Sequence, residues 1–143
     1  PPEAITSNAG WDTEKNLDFL KEITAELQAA GIRVSIFVDA NIKSVEYAAL
    51  AGADRVELYT EPYAREFTEN REKAAAPFVE AAKAAKKLGL GLNAGHDLNL
   101  QNLHYLYTCI PWLDEVSIGH ALICDALYLG LQETIKQYKN QLK

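Results

Sequence analysis

Apolar and polar residues alternate along this chain with two different periods. Behind Asp12, Leu17, Leu20, Ile23 and Leu27 recur at helical spacing. That predicts an amphipathic helix over residues 13 to 30, capped by Asp12 and stopped by Gly31. Ile32 to Ala40 (IRVSIFVDA) is rich in β-branched and aromatic residues and predicts a buried strand. Asn41 caps a second helix that runs to about Leu50, just ahead of Gly52. Arg55 to Tyr59 (RVELY) predicts a short strand, followed by a longer loop containing Glu61, Pro62 and Tyr63. An alanine-rich helix over 70 to 88 places Phe78, Ala81, Ala85 and Leu88 on one stripe and ends at Gly89. Leu90 to Ala94 (LGLNA) is the third predicted strand, and a helix over 99 to 109 follows it. Pro111 breaks the chain, Glu115 to Ile118 (EVSI) forms a fourth strand, and a last helix covers about 121 to 141. Its stripe is Leu127, Leu131, Ile135 and Leu142.

Four strands that each precede a helix imply right-handed βαβ units and a parallel sheet. Two architectures fit that order: an open doubly wound sheet, or part of a (β/α)8 barrel. Strands buried on both faces of an open sheet should be apolar on both parities. Here one parity is apolar: Ile36 and Val38, Val56 and Leu58, Leu90 and Leu92, Val116 and Ile118. The other is polar or small: Ser35 and Asp39, Arg55, Glu57 and Tyr59, Gly91 and Asn93, Glu115 and Ser117, with Phe37 the exception. Successive residues of a strand face opposite sides. The apolar row is therefore expected to meet the helices, and the polar row a barrel interior. A full barrel needs eight strands and about 250 residues. The expected fold is α/β, a single partial domain over 1–143: the C-terminal half (strands 5 to 8) of a TIM barrel. Four strands alone would leave two open edges, which natural proteins avoid.

Composition narrows the function class. Hydrophobic residues are 48% of the chain and charged ones 24%, with a net charge of -6 and a pI near 5.0. The four arginines (Arg33, Arg55, Arg65, Arg71) are scattered, so the basic footprint of a nucleic-acid binder is lacking. No apolar run reaches the length of about 18 residues that a membrane span needs. Cys109 and Cys124 lie in apolar helical contexts without CxxC spacing, which fits a reducing, cytoplasmic setting. The opening Pro1-Pro2-Glu3 reads as the middle of a loop, and hence as a fragment boundary.

Barrel enzymes carry their chemistry at the C-terminal ends of the strands. Those ends hold Asp39, then Glu57 with Tyr59, then Asn93-Ala94-Gly95-His96, then Ser117-Ile118-Gly119-His120. His96 and His120 just past strand ends can exchange protons near neutral pH, whereas His104 lies mid-helix. A carboxylate inside a barrel, as at Glu57, is either paired or functional. Gly119-His120 leads into the last helix, where unpaired N–H groups and the dipole favour an anion. The loops after strands 7 and 8 often bind phosphate in such barrels. With few basic residues nearby, backbone N–H groups would have to hold it. The polar stretch Thr6 to Gly10 could touch the same anion. No HxH, HExxH or DxD spacing signals a metal.

At ITSNAGWD (5–12), GIRVSIFVDA (31–40), GADRVELYTEPYA (52–64), LGLNAGHDLNLQNL (90–103) and EVSIGHALICDALYLGL (115–131), the chain resembles the pyridoxine 5'-phosphate synthase family. The resemblance implies condensation of 3-amino-2-oxopropyl phosphate with 1-deoxy-D-xylulose 5-phosphate, without a cofactor. By the same resemblance His96 is the proton donor and Glu57 stabilises charge in the transition state. Asp97 contributes to the amino-ketone phosphate site through its backbone, since many members have glycine there. Gly119 and His120 hold the phosphate, and Thr6 lines the site. The family's histidine and glutamate proton acceptors, and an Asn-x-Asp-His segment, belong to early strands absent here. This chain alone is then expected to be inactive, and the assembly a homo-oligomer, commonly an octamer. Two other readings are another sugar-phosphate barrel enzyme, and a non-catalytic phosphate-binding α/β module.

Overall fold

The computed structural model describes residues 6–143. Four strands, β1 (Ser35–Val38), β2 (Arg55–Tyr59), β3 (Gly91–Gly95) and β4 (Glu115–Ser117), form one parallel sheet in the order β1-β2-β3-β4. Each crossover carries a helix: α2 (Ile42–Leu50), α3 (Glu61–Lys87) and α4 (Leu103–Cys109). Helix α1 (Leu17–Ala29) precedes the sheet, and α5 (His120–Leu129) and α6 (Leu131–Asn140) follow it. The strand order has no reversal point of the kind that defines a doubly wound sheet.

The parity read from the sequence sets the layers. Ile36, Val38, Val56, Leu58, Leu92 and Ala94 are buried in one core with Val45, Ala48, Phe78, Ala81, Ala85, Leu103 and Leu106 from the helices. The opposite parity aligns in rows across the sheet, Phe37–Glu57–Asn93–Glu115 and Tyr59–Gly95–Ser117. Glycines on β3 make room for the long charged side chains of β2. A Cβ on Gly91 would come within 2.6 Å of Arg55 Cγ, and one on Gly95 would overlap the Glu57 carboxylate. At the N-terminal end of this face, Arg55 donates to Asn93 Oδ1 (3.1 Å) and Asn93 donates to Glu115 Oε2 (3.1 Å). Arg33, ahead of β1, reaches Glu115 of β4 at 2.9 Å and so ties the two outer strands together. Asp54 and Asp114, each preceding a strand, accept the backbone N–H of Val34 (2.7 Å) and Leu92 (2.8 Å).

Several expectations are corrected. The segment around Glu61, Pro62 and Tyr63 is helical, not a loop; it opens α3, which kinks at Asn70 (φ -157°). Proline is tolerated in a first helical turn, where its missing N–H would have no partner. Tyr63, fully buried, anchors that turn against Phe67 and Phe78. Asn70 accepts the N–H of Lys73 (2.9 Å) and restarts the helix at the boundary read from the sequence. The last helix is two helices, because Gly130 adopts φ +79° between α5 and α6. Its expected stripe is not a core stripe: Leu127 is 80% exposed, and Leu131 and Ile135 are exposed as well. Thr134 and Tyr138 are the buried residues of α6, and Tyr138 donates to Asp125 of α5 (2.8 Å). Cys124 is exposed rather than packed. The first helix becomes regular only at Leu17, with Asp12 accepting from Lys15 N–H in the turn before it. Ile32 is exposed, and the first strand begins at Ser35. Helix α4 starts at Leu103 rather than 99, since Asn99 and Asn102 first bond each other in a turn. None of the described helices is long and apolar enough to cross a membrane.

Candidate active site

The C-terminal strand ends open into one cavity of about 860 Å³. All six residues singled out from the sequence line it: Thr6, Glu57, His96, Asp97, Gly119 and His120. They arrive from the N-terminal loop, β2, the turn after β3, and the start of α5. Ser7, Phe37, Asn99, Ser117 and Cys124 share the lining. Asp39, also at a strand end, does not belong to it: its Oδ1 accepts the Gly10 N–H at 2.8 Å. His104 lies away from the cavity, with Nδ1 3.0 Å from the Gln141 carbonyl oxygen.

Glu57 stands half-buried in the middle of the polar row. Burial raises its carboxyl above the usual carboxylate range. The Ser117 hydroxyl, donating at 3.4 Å, pulls the other way, and the negative charge of Glu115 pushes further up. This is the pattern of a carboxyl group desolvated beside a like charge. Absence of a Cβ at Gly95 is what leaves its side chain room to lie there.

His96 follows β3 directly. Its ring meets Tyr59 edge-on, with centroids 4.9 Å apart and planes at 84°, and Tyr59 in turn meets Phe37 at 5.4 Å. Nε2 shares a 3.3 Å hydrogen bond with Thr6 Oγ1, whose direction follows the imidazole tautomer. Nδ1 is buried and lies 3.3 Å from Asp97 Oδ2, outside hydrogen-bond geometry. The backbone here is unusual. His96 has φ +94° and Asp97 φ +59°, a region that costs about 1–3 kcal/mol for a non-glycine residue and persists only when its surroundings enforce it. Such strain concentrates at functional sites.

What enforces that turn carries no signal in the sequence. Thr60, immediately after Tyr59 and fully buried, donates its hydroxyl to the His96 carbonyl oxygen at 2.6 Å. Its N–H donates to the Gly95 carbonyl at 2.9 Å. Asn102, also buried, donates Nδ2 to the Asp97 carbonyl at 3.2 Å, and Tyr63 OH donates to the Asn102 carbonyl at 2.6 Å. These groups are unremarkable in type and scattered in sequence; only the fold brings them together.

Gly119 and His120 open α5 at the cavity rim. Gly119 has φ -103°, and a Cβ there would touch nothing among the described residues. Neither backbone conformation nor packing among the described residues calls for glycine at that position. No lysine or arginine is among the described lining residues, so the anion-attracting groups there are the first N–H groups of α5 and the His120 ring.

The family model described as pyridoxal phosphate biosynthesis protein PdxJ matches residues 1–143. Curated relatives carry the name pyridoxine 5'-phosphate synthase. That of Bacteroides thetaiotaomicron is 67% identical over 142 residues, covering 99% of this chain and 60% of the relative. That of Cytophaga hutchinsonii is 65% identical over 140 residues, covering 98% and 59%. That of Porphyromonas gingivalis is 55% identical over 141 residues, covering 99% and 59%. The chain spans about 60% of the length of these relatives.

Proposed function

Because this chain belongs to the family of pyridoxal phosphate biosynthesis protein PdxJ, we propose that it is the C-terminal half, strands 5 to 8, of a TIM-barrel pyridoxine 5'-phosphate synthase. The protein acts in vitamin B6 biosynthesis. It condenses 3-amino-2-oxopropyl phosphate with 1-deoxy-D-xylulose 5-phosphate to give pyridoxine 5'-phosphate, inorganic phosphate and water. The observation that carries this reading is the gathering of Thr6, Glu57, His96, Asp97, Gly119 and His120 around one cavity at the strand ends.

His96 is the proton donor. Its ring faces the cavity and its Nε2 is bonded to a hydroxyl that a substrate oxygen can replace. General acids positioned in this way contribute about 10²–10⁴-fold in rate. Glu57 faces positive charge that develops as the amino ketone condenses. In its half-desolvated setting an ionised carboxylate acts more strongly on such charge than it would in water. Gly119 and His120 cradle the phosphate of the amino ketone on the N-terminus of α5, and the bare Cα of Gly119 lets that phosphate come close. The Asp97 backbone and Thr6 complete this subsite.

The proton acceptors of the family lie on early strands outside this chain, so this segment by itself is inactive. The missing strands would pair with the free edges of β1 and β4, and their helices would cover the apolar face of α5. The whole protein is cytoplasmic and assembles as a homo-oligomer, an octamer by resemblance.

The test is product formation by the full-length protein supplied with both phosphorylated substrates. Wild type should release pyridoxine 5'-phosphate, and His96→Ala should lose at least about 100-fold in kcat while still binding the amino ketone. An unimpaired His96→Ala variant would remove the proton-donor assignment.

A further inference from the structure

We propose that Thr60 and Asn102 are positioning residues, which lock the His96–Asp97 turn at positive φ and thereby aim the His96 imidazole into the cavity. The inference rests on the assignment of His96 as the proton donor, and it adds what holds that donor in place.

Catalytic histidines are usually oriented by a partner on the second ring nitrogen. His96 has no hydrogen bond at that nitrogen among the described residues: Nδ1 is buried, and Asp97 Oδ2, 3.3 Å away, lies outside hydrogen-bond geometry. Its ring is held instead by the edge contact with Tyr59, by Thr6 at Nε2 and by its own backbone. That backbone is strained at two consecutive non-glycine residues, φ +94° and +59°. Left alone, the turn would relax toward ordinary φ and swing the ring away from Tyr59. The carbonyls of both strained residues are caught. Thr60 Oγ1 donates to the His96 carbonyl (2.6 Å) and Asn102 Nδ2 donates to the Asp97 carbonyl (3.2 Å).

Each clamp residue is itself fixed. The Thr60 N–H donates to the Gly95 carbonyl (2.9 Å). Asn102 Oδ1 accepts the Asn99 N–H (2.9 Å), and its carbonyl accepts the Tyr63 hydroxyl (2.6 Å). Both are almost wholly buried and neither lines the cavity, so they act on the reaction only through His96 and Asp97. Thr60 also follows Tyr59 in the chain, so the last residue of β2 supplies the ring that His96 rests on and the residue that caps α3 supplies the hydroxyl that holds its backbone.

The experiment uses the full-length protein with Thr60→Val, which keeps the shape and removes the donor, and Thr60→Ser, which keeps the donor. Thr60→Val should lower kcat by about 10–100-fold and move KM for the amino ketone by less than about threefold, since a misplaced group loses transition-state rather than ground-state interactions. Thr60→Ser should recover kcat to within about threefold of wild type by the same reasoning. In parallel, NMR of the His96 ring should show the Tyr59 ring-current shift kept in Thr60→Ser and averaged away in Thr60→Val. If Thr60→Val does not fold, Tyr63→Phe, which releases Asn102, should give the same two changes in smaller measure. Unchanged kcat with an unchanged His96 ring shift in Thr60→Val or Tyr63→Phe overturns the clamp. A wild-type protein that forms no pyridoxine 5'-phosphate, yet loses the His96 shift in Thr60→Val, overturns the functional reading and leaves the clamp standing.

Discussion

Glu57 occupies a position where chemistry and stability pull against each other. Its carboxyl is raised above the ordinary range by burial and by Glu115. The folded state therefore holds the Glu57 proton more tightly than the unfolded chain does, where the pKa is about 4.3. Stability then falls as pH rises from the unfolded value through the folded one, and the full penalty is present above the latter. Glu57→Gln removes a buried charge at no cost in shape. The variant should melt higher than wild type at pH 8, with the gain vanishing at pH 4. Thermal unfolding at the two pH values checks this, and an equal difference at both would contradict it. At this scale the sequence was informative because strand parity and strand-end position pick out Glu57, His96 and His120 on their own. Thr60, Asn102 and Tyr63 were invisible: a threonine, an asparagine and a tyrosine carry no signal until the backbone carbonyls they serve are located.

Among the elements, order and type were legible, with boundaries off by up to a few residues. Asn41 accepts from the Ser44 N–H (2.8 Å) as a cap should, and each of the four strands overlaps its expected segment, the first much shorter than the expected 32–40. Errors came where one residue type has two meanings. Pro62 looked like a loop marker and is a helix starter. Gly130 sat inside an unbroken apolar stripe, yet its positive φ splits α5 from α6. The loop before α1 is held more tightly than its polar composition suggests. The Gly10 N–H donates to Asp39 Oδ1 (2.8 Å) and the Trp11 N–H to the Phe37 carbonyl (2.8 Å). A Cβ on Gly10 would overlap the backbone of Val38 and Asp39. Gly10→Ala should therefore destabilise the protein by about 1–3 kcal/mol, as overpacking does. It should also displace Thr6 and Ser7 from the cavity wall. Denaturant unfolding reads the first effect; a variant as stable as wild type would show that the loop yields freely.

For the whole molecule, an α/β fold with one apolar and one polar sheet face was legible from the two strand parities. The ion pair of Arg33 with Glu115, which joins the segment ahead of β1 to β4, was not, because only the fold brings those two residues together. Helix α5 has no buried residue among its ten, and Tyr128 is 90% exposed. Its apolar sequence is that of a helix packed on several sides, yet among the described residues nothing buries it. The family match over residues 1–143 places the chain with the PdxJ proteins. On the proposed function, these strand ends hold the proton donor and the phosphate cradle of a synthase. The most direct measurement is a crystal structure of the full-length protein with 3-amino-2-oxopropyl phosphate bound. The phosphate is expected on the backbone N–H groups at Gly119 and His120, with the carbon skeleton directed toward His96 and Glu57. A phosphate bound away from the N-terminus of α5, with His96 out of reach of the ligand, would contradict it.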